Sequence, residues 1–380
     1  MGPAPESVAA TCRDRARRDV ITHRNQRPQS TSLALGRYNP LLFAAAIILS
    51  ATAAVVLADS AGISSERRLL SRADLVWLAV CFGGQVLAYV GYVLAVRAMA
   101  RVDGGPTLSF SLTTRTVVAG FGVYAATHSS GGFAVDYWTL RRAGLSRHEA
   151  IARVLGLSAL EYAILAPAAL VSALVLFFGG AGSHVQDAMT LPWLVVVPGF
   201  ALAVWVSSPG RAGRFAEADG RGRLGRALAH AVAGVVKLRS MAASPRRYGI
   251  GVVGVGLYWL GDIACLWAAL EAVGAELPIP AVILAYATGY VLTRRSLPLG
   301  GAGIVEVFMT FALIWVGLGP TKAILGVVLY RLFNFWLPIL PALAILPTVR
   351  QLRHAYEAAD GVGEVEEPDG EASSGARRRR

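Results

Sequence analysis

Arg294-Arg295-Ser296-Leu297-Pro298-Leu299-Gly300-Gly301-Ala302-Gly303-Ile304-Val305-Glu306 cuts through an apolar region that spans residues 280–316. A proline with no backbone N–H, a cluster of glycines and three ionisable side chains cannot continue a lipid-exposed helix. Backbone interrupted in this way survives at membrane depth only where it is buried in protein or lines a watery cavity. The stretch therefore predicts a broken or re-entrant element inside a helical membrane protein.

The rest of the chain agrees. Of its 380 residues 55% are hydrophobic and only 16% charged, against roughly 25% charged in soluble domains. A helix needs about 20 apolar residues to cross a bilayer. Segments 40–58, 74–98, 153–178, 190–208, 248–270 and 322–347 read as full spans. A second broken region, 107–140, carries Arg115 and the interruption His128-Ser129-Ser130-Gly131-Gly132. The expectation is an all-α polytopic membrane protein with about six spans and two re-entrant segments. Residues 1–38 and 351–380 read as disordered charged tails flanking a membrane domain at 39–350, and nothing in 1–38 reads as a signal peptide.

The net charge of +12 sits in short stretches between apolar runs, which speaks for topology and against nucleic-acid binding. Residues 209–247 hold nine Lys or Arg and two acids, so this loop is expected in the cytoplasm; 179–191 and 271–280 hold no Lys or Arg and are expected outside. Arg101 and the group Arg141, Arg142, Arg147 then place both ends of 107–140 in the cytoplasm, and 280–316 starts and ends outside. Both termini are expected on the cytoplasmic side of a cell membrane. Arg67, Arg68 and Arg72 run against this scheme. The amphipathic stretch 222–241 is expected on the cytoplasmic lipid surface.

The two broken regions resemble each other. Gly131-Gly132 is followed by Asp136 and then Gly144-Leu145; Gly300-Gly301 is followed by Glu306 and then Gly317-Leu318. An offset of about 170 residues with opposite predicted orientation is the pattern of an inverted repeat, whose substrate site lies between the halves. Intramembrane charges gather near these breaks: Arg115, Asp136, Arg294, Arg295, Glu306 and Arg331, the last beside Tyr330 and Asn334. Glu161 and Asp262 are further charges within spans. Each costs about 2.5–3.5 kcal/mol on insertion scales and so needs a reason, either mutual pairing or function. Arg294, Arg295 and Arg331, together with the positive end of the helix after Gly301, make a candidate anion site. A phosphate-bearing lipid headgroup is the natural anion in a bilayer, and Glu306 is suited to engage a cation or to fix an arginine.

No G-x-S-x-G elbow, P-loop, H-E-x-x-H or metal-ligand cluster occurs in the sequence. Cys12, Cys81 and Cys265 have no metal-type spacing. Catalytic residues, metals and cofactors are therefore not expected.

The run Leu297-Pro298-Leu299-Gly300-Gly301-Ala302-Gly303-Ile304-Val305-Glu306, with Leu329-Tyr330-Arg331-Leu332 after it, resembles the signature of the lysylphosphatidylglycerol synthase transmembrane region family. This is the flippase-like domain at the N-terminus of the multiple peptide resistance factor. Gly131-Gly132, Asp136 and Leu140-Arg141-Arg142-Ala143-Gly144-Leu145 look like its first block. The resemblance implies a lipid-translocating bundle, with Pro298, Gly300, Gly301, Gly303, Glu306, Tyr330 and Arg331 in the substrate site. It does not imply aminoacyl transfer, because that reaction belongs to a soluble domain for which this sequence shows no counterpart. The expected function is translocation of an anionic phospholipid or lipid-linked intermediate. The alternatives are a scaffold for a partner enzyme of lipid or envelope synthesis, or a membrane enzyme acting on a headgroup.

Overall fold

The computed structural model describes residues 75–126, 131–179, 187–216, 222–291 and 303–342. In chain order the helices are α1 (Leu75–Ala100), α2 (Phe110–Ala126), α3 (Gly131–Arg142), α4 (Arg147–Phe178), α5 (Leu191–Val206), α6 (Pro209–Ala216), α7 (Gly222–Ala243), α8 (Pro245–Ala272), α9 (Ile279–Tyr286), α10 (Ile304–Trp315) and α11 (Pro320–Ala342). Among the described residues, α1, α4, α8 and α11 are long and apolar enough to cross a membrane, while α5 is a shorter apolar helix. The span expected at 40–58, both tails and the breaks at 127–130 and 292–302 lie outside the described residues.

Each broken region holds two short helices in place of one long one. α2 and α3 have 17 and 12 residues, α10 has 12, and α9 has 8 before one turn of π-helix at Ala287–Val291. At 1.5 Å per residue none reaches the ~30 Å of a hydrocarbon core. The arms of the second pair touch closely: a Cβ on Gly289 would lie 2.7 Å from the Met309 Cα.

The two halves also share an ending. After α3, Gly144 adopts φ 93°, its N–H donates to the Arg141 carbonyl, and the Leu145 N–H reaches back to the Leu140 carbonyl. After α10, Gly317 adopts φ 99°, with the bonds Gly317 to Ile314 and Leu318 to Leu313. Both are Schellman caps, which need a residue without Cβ in the left-handed position and commonly set an apolar pair against each other. The Gly-Leu connectors seen in the sequence are thus one structural device used twice, each time before a long span. The same cap also closes α8 at Gly274. The shared cap supports the repeat only through its place in the order of elements.

The centre of the bundle is the antiparallel pair α1–α8. Gly84 and Gly91 face Gly261 and Gly254, and a Cβ on any of the four would meet backbone of the partner helix at 2.3–2.7 Å. Close approach through small residues is how membrane helices gain packing, since lipid is as apolar as the helices themselves. The contact runs on through Trp77 against Trp267 and the Cys81 thiol, which donates to the Cys265 carbonyl. The outward faces carry exposed Phe82, Val86, Leu260, Phe308 and Phe311, as a lipid-facing surface requires.

Part of the apolar stripe of α7 packs onto α4, where Gly156 and Gly234 pass within a Cβ's reach of each other's backbone, while Leu228 of the same stripe stays exposed. Ala229 and Val232 on α7 are buried, and buried Met241 at its end reaches Gly251 of α8. Charges fix the packing: Lys237 reaches Asp103 at 2.8 Å and Glu149 at 3.1 Å. Buried Arg153 pairs with Glu149 and donates to the Ala100 and Val102 carbonyls. α4 also begins earlier than the expected 153, because the Ser146 hydroxyl accepts from the Glu149 N–H and caps the helix.

Candidate functional site

Two buried polar centres lie side by side in the second half of the fold. The first is Asp262 on α8, with no exposed surface. Its carboxylate accepts from Gln85 Nε2 on α1 at 2.8 Å and from the Tyr286 hydroxyl at the end of α9 at 2.5 Å. The Tyr330 hydroxyl lies 3.2 Å from both of its oxygens, and Asn334 Nδ2 donates at 2.6 Å. Tyr330 and Asn334 belong to α11, and Asn334 stands in a π-helical turn at Leu332–Trp336. Four uncharged groups from three other helices thus surround one acid, and no cation among the described residues contacts it. The α1–α8 glycine contacts explain how Gln85 comes so near: Gly84 and Gly261 are its and Asp262's immediate neighbours.

The second centre is the ion pair of Glu306 and Arg331. Arg331 Nε donates to Glu306 Oε1 at 2.8 Å, and both side chains are almost wholly buried. The other carboxylate oxygen, Oε2, accepts the Gly303 backbone N–H at 2.7 Å. Glu306 therefore caps its own helix, satisfying one of the amides that the start of a helix leaves open. Gly303 makes this possible with φ 83°, a left-handed conformation that costs an L-residue about 1–2 kcal/mol. Gly303→Ala is expected to lower unfolding stability by about that amount, read as a drop in melting temperature in detergent. An unchanged melting temperature would contradict the left-handed turn. The Arg331 guanidinium also lies over the Phe335 ring, 4.2 Å from its centroid.

The centres are joined through α11, since Tyr330 serves one and Arg331, its neighbour, the other. The Tyr286 and Tyr330 rings meet edge to face at 6.4 Å between centroids. Both π-turns, which widen a helix by one residue and recur at functional sites, flank this region.

The sequence-predicted residues therefore separate. Gly303, Glu306 and Arg331 form one cluster; Tyr330 and Asn334 join the Asp262 cluster. Arg294, Arg295, Pro298, Gly300 and Gly301 lie outside the described residues. Asp136, half-buried on α3, accepts from the Tyr92 hydroxyl of α1 at 2.9 Å. Arg115 is exposed on α2 and, among the described residues, is joined to neither centre. The expected bare helix end also differs, because its capping position and Arg331 are already held by Glu306. The sequence reading noticed Asp262 only as an intramembrane charge, and it missed Gln85 and Tyr286. Gln85 carried a signal in its place, a lone amide beside Gly84 in an apolar span.

This architecture defines a polytopic helical membrane protein with two broken helical elements and a buried charged centre at the second. The family model for the lysylphosphatidylglycerol synthase TM region matches residues 42–342, and the chain belongs to that family. Membership relates it to membrane proteins of lipid modification or translocation. No curated protein matches the chain.

Proposed function

We propose that this protein translocates a phosphate-bearing lipid, an anionic phospholipid or a lipid-linked intermediate, across the cell membrane, with both termini in the cytoplasm. The observation that carries the reading is the Glu306–Arg331–Gly303 arrangement at the head of α10. An arginine and a helix-terminal N–H are a natural phosphate-binding pair. Here an internal carboxylate occupies both donors. A lipid phosphate replaces that carboxylate on the same groups, so Arg331 is never left buried and uncompensated. Arg294 and Arg295, upstream in the sequence, add positive charge for the exchange.

The test is reconstitution in liposomes with acyl-labelled phosphatidylglycerol and an impermeant outside quencher. Wild type is expected to bring inner-leaflet label to the quencher. Loss of a charge-assisted hydrogen bond of about 1.5–3 kcal/mol predicts a ~10–100-fold slower rate for Arg331→Ala per folded molecule. Wild-type vesicles no faster than protein-free ones would sink the reading, and mass change of the lipid would favour headgroup chemistry.

A further inference from the structure

From the cluster around Asp262 we infer a proton-binding site that couples lipid translocation to a proton gradient; the inference deepens the translocation reading and rests on it. Asp262 stands 10 residues before the C-terminal end of a 28-residue span, about 15 Å into the helix at 1.5 Å per residue. A carboxyl group at such depth needs a reason, and in membrane proteins proton relays are one. Neither the family motif nor the phosphate site uses it.

The cage suits both protonation states. Gln85 Nε2 and Asn334 Nδ2 can only donate, and they hold the anion. Tyr286 and Tyr330 carry hydroxyls that donate or accept by rotating. When Asp262 takes up a proton, its new O–H donates to a tyrosine oxygen, and that tyrosine's hydrogen turns away. No heavy atom has to leave the cage for the exchange to occur. The proton comes from the aqueous phase on one side and returns to water on the other, and no covalent bond of the lipid changes.

The cage also adjoins the described elements on either side of the second broken region. Tyr286 directly precedes the π-turn Ala287–Val291, which leads into the break. Tyr330 adjoins Arg331, the partner of Glu306, and Asn334 sits in the second π-turn. A change of hydrogen bonding at Asp262 therefore acts on both flanks of the broken element. The other ionisable groups facing this region are Cys81 on α1, Cys265 on the same helix, Glu161 on α4, and Glu306 with Arg331. Glu161 lies close through its carbonyl, which accepts from Trp259 Nε1. The Cys81 thiol is engaged by the Cys265 carbonyl.

Two measurements on the full chain decide the matter. Infrared difference spectra across a pH titration should show a carboxylic acid C=O band that appears on acidification in wild type and is missing in Asp262→Asn. In liposomes clamped at zero membrane potential, an imposed pH gradient should change wild-type translocation several-fold. Asp262→Asn should translocate down a lipid gradient at a rate indifferent to pH. No titrating band assignable to Asp262, or wild-type translocation unaffected by the gradient, overturns proton coupling while the translocation reading stands. Absence of any lipid movement in wild type overturns the translocation reading, and the coupling with it.

Discussion

Gly84→Leu is expected to disrupt the fold, whereas Gly83→Leu, one residue away, is expected to be tolerated. A Cβ at Gly84 would sit 2.6 Å from the Gly261 carbonyl oxygen and 3.2 Å from the Cys265 N, while at Gly83 nothing lies within 4 Å. The obstacle at Gly84 is backbone of α8, which has no rotamer to change. Relief requires α1 and α8 to separate along their whole contact, and overpacking of this kind costs about 3 kcal/mol or more. Leucine gains up to about 1 kcal/mol over glycine in helix propensity, too little to offset that. At Gly83 the propensity gain stands alone. Separation would also draw Gln85 off Asp262 and uncover Cys81 and Cys265, both buried. In a Cys12→Ser background, maleimide should label Gly84→Leu quickly and both wild type and Gly83→Leu slowly. Equal labelling of the two variants would refute the glycine contact.

Removing Arg331 is the second large effect. Arg331→Met leaves the Glu306 carboxylate buried without its guanidinium partner, and breaking a buried pair from one side costs about 3–5 kcal/mol. Glu306→Gln is milder, because the amide oxygen still accepts from Gly303. The double variant should recover much of the loss, since two neutral groups leave no charge to compensate and replacing both partners of a buried pair is often close to neutral. Denaturation of the four proteins in detergent gives the cycle. A coupling energy near zero would mean that the two side chains do not act as a pair. The double variant should nevertheless fail to move lipid, because stability is restored and the phosphate donor is not.

Much of this was legible in the sequence for reasons that can be named. Breaks in apolar runs announce themselves because proline and glycine are costly in lipid-exposed helix, and the Gly-Leu connectors did mark identical caps. Glu306 and Arg331 stood out because a charge in a span needs a partner, and each is the other's. The Asp262 cage was not legible. Gln85 and Asp262 are 177 residues apart, and nothing local couples them. The glycines at heptad spacing, Gly84 and Gly91 against Gly254 and Gly261, were the available sign, hidden among 41 glycines. The packing of α7 on α4 was not legible for a similar reason. An apolar stripe reads the same whether lipid or another helix covers it, and the ion pairs of Lys237 with Asp103 and Glu149 join positions far apart in sequence.

The central claim is that a buried arginine, guarded by an internal carboxylate, takes a lipid phosphate. The most direct measurement compares two lipids with the same acyl label and chains, phosphatidylglycerol and diacylglycerol, corrected for spontaneous movement in protein-free vesicles. The account predicts that wild type accelerates only the phosphate-bearing lipid and that Arg331→Ala loses this acceleration. Equal acceleration of both lipids, or acceleration that survives Arg331→Ala in a folded protein, would contradict it.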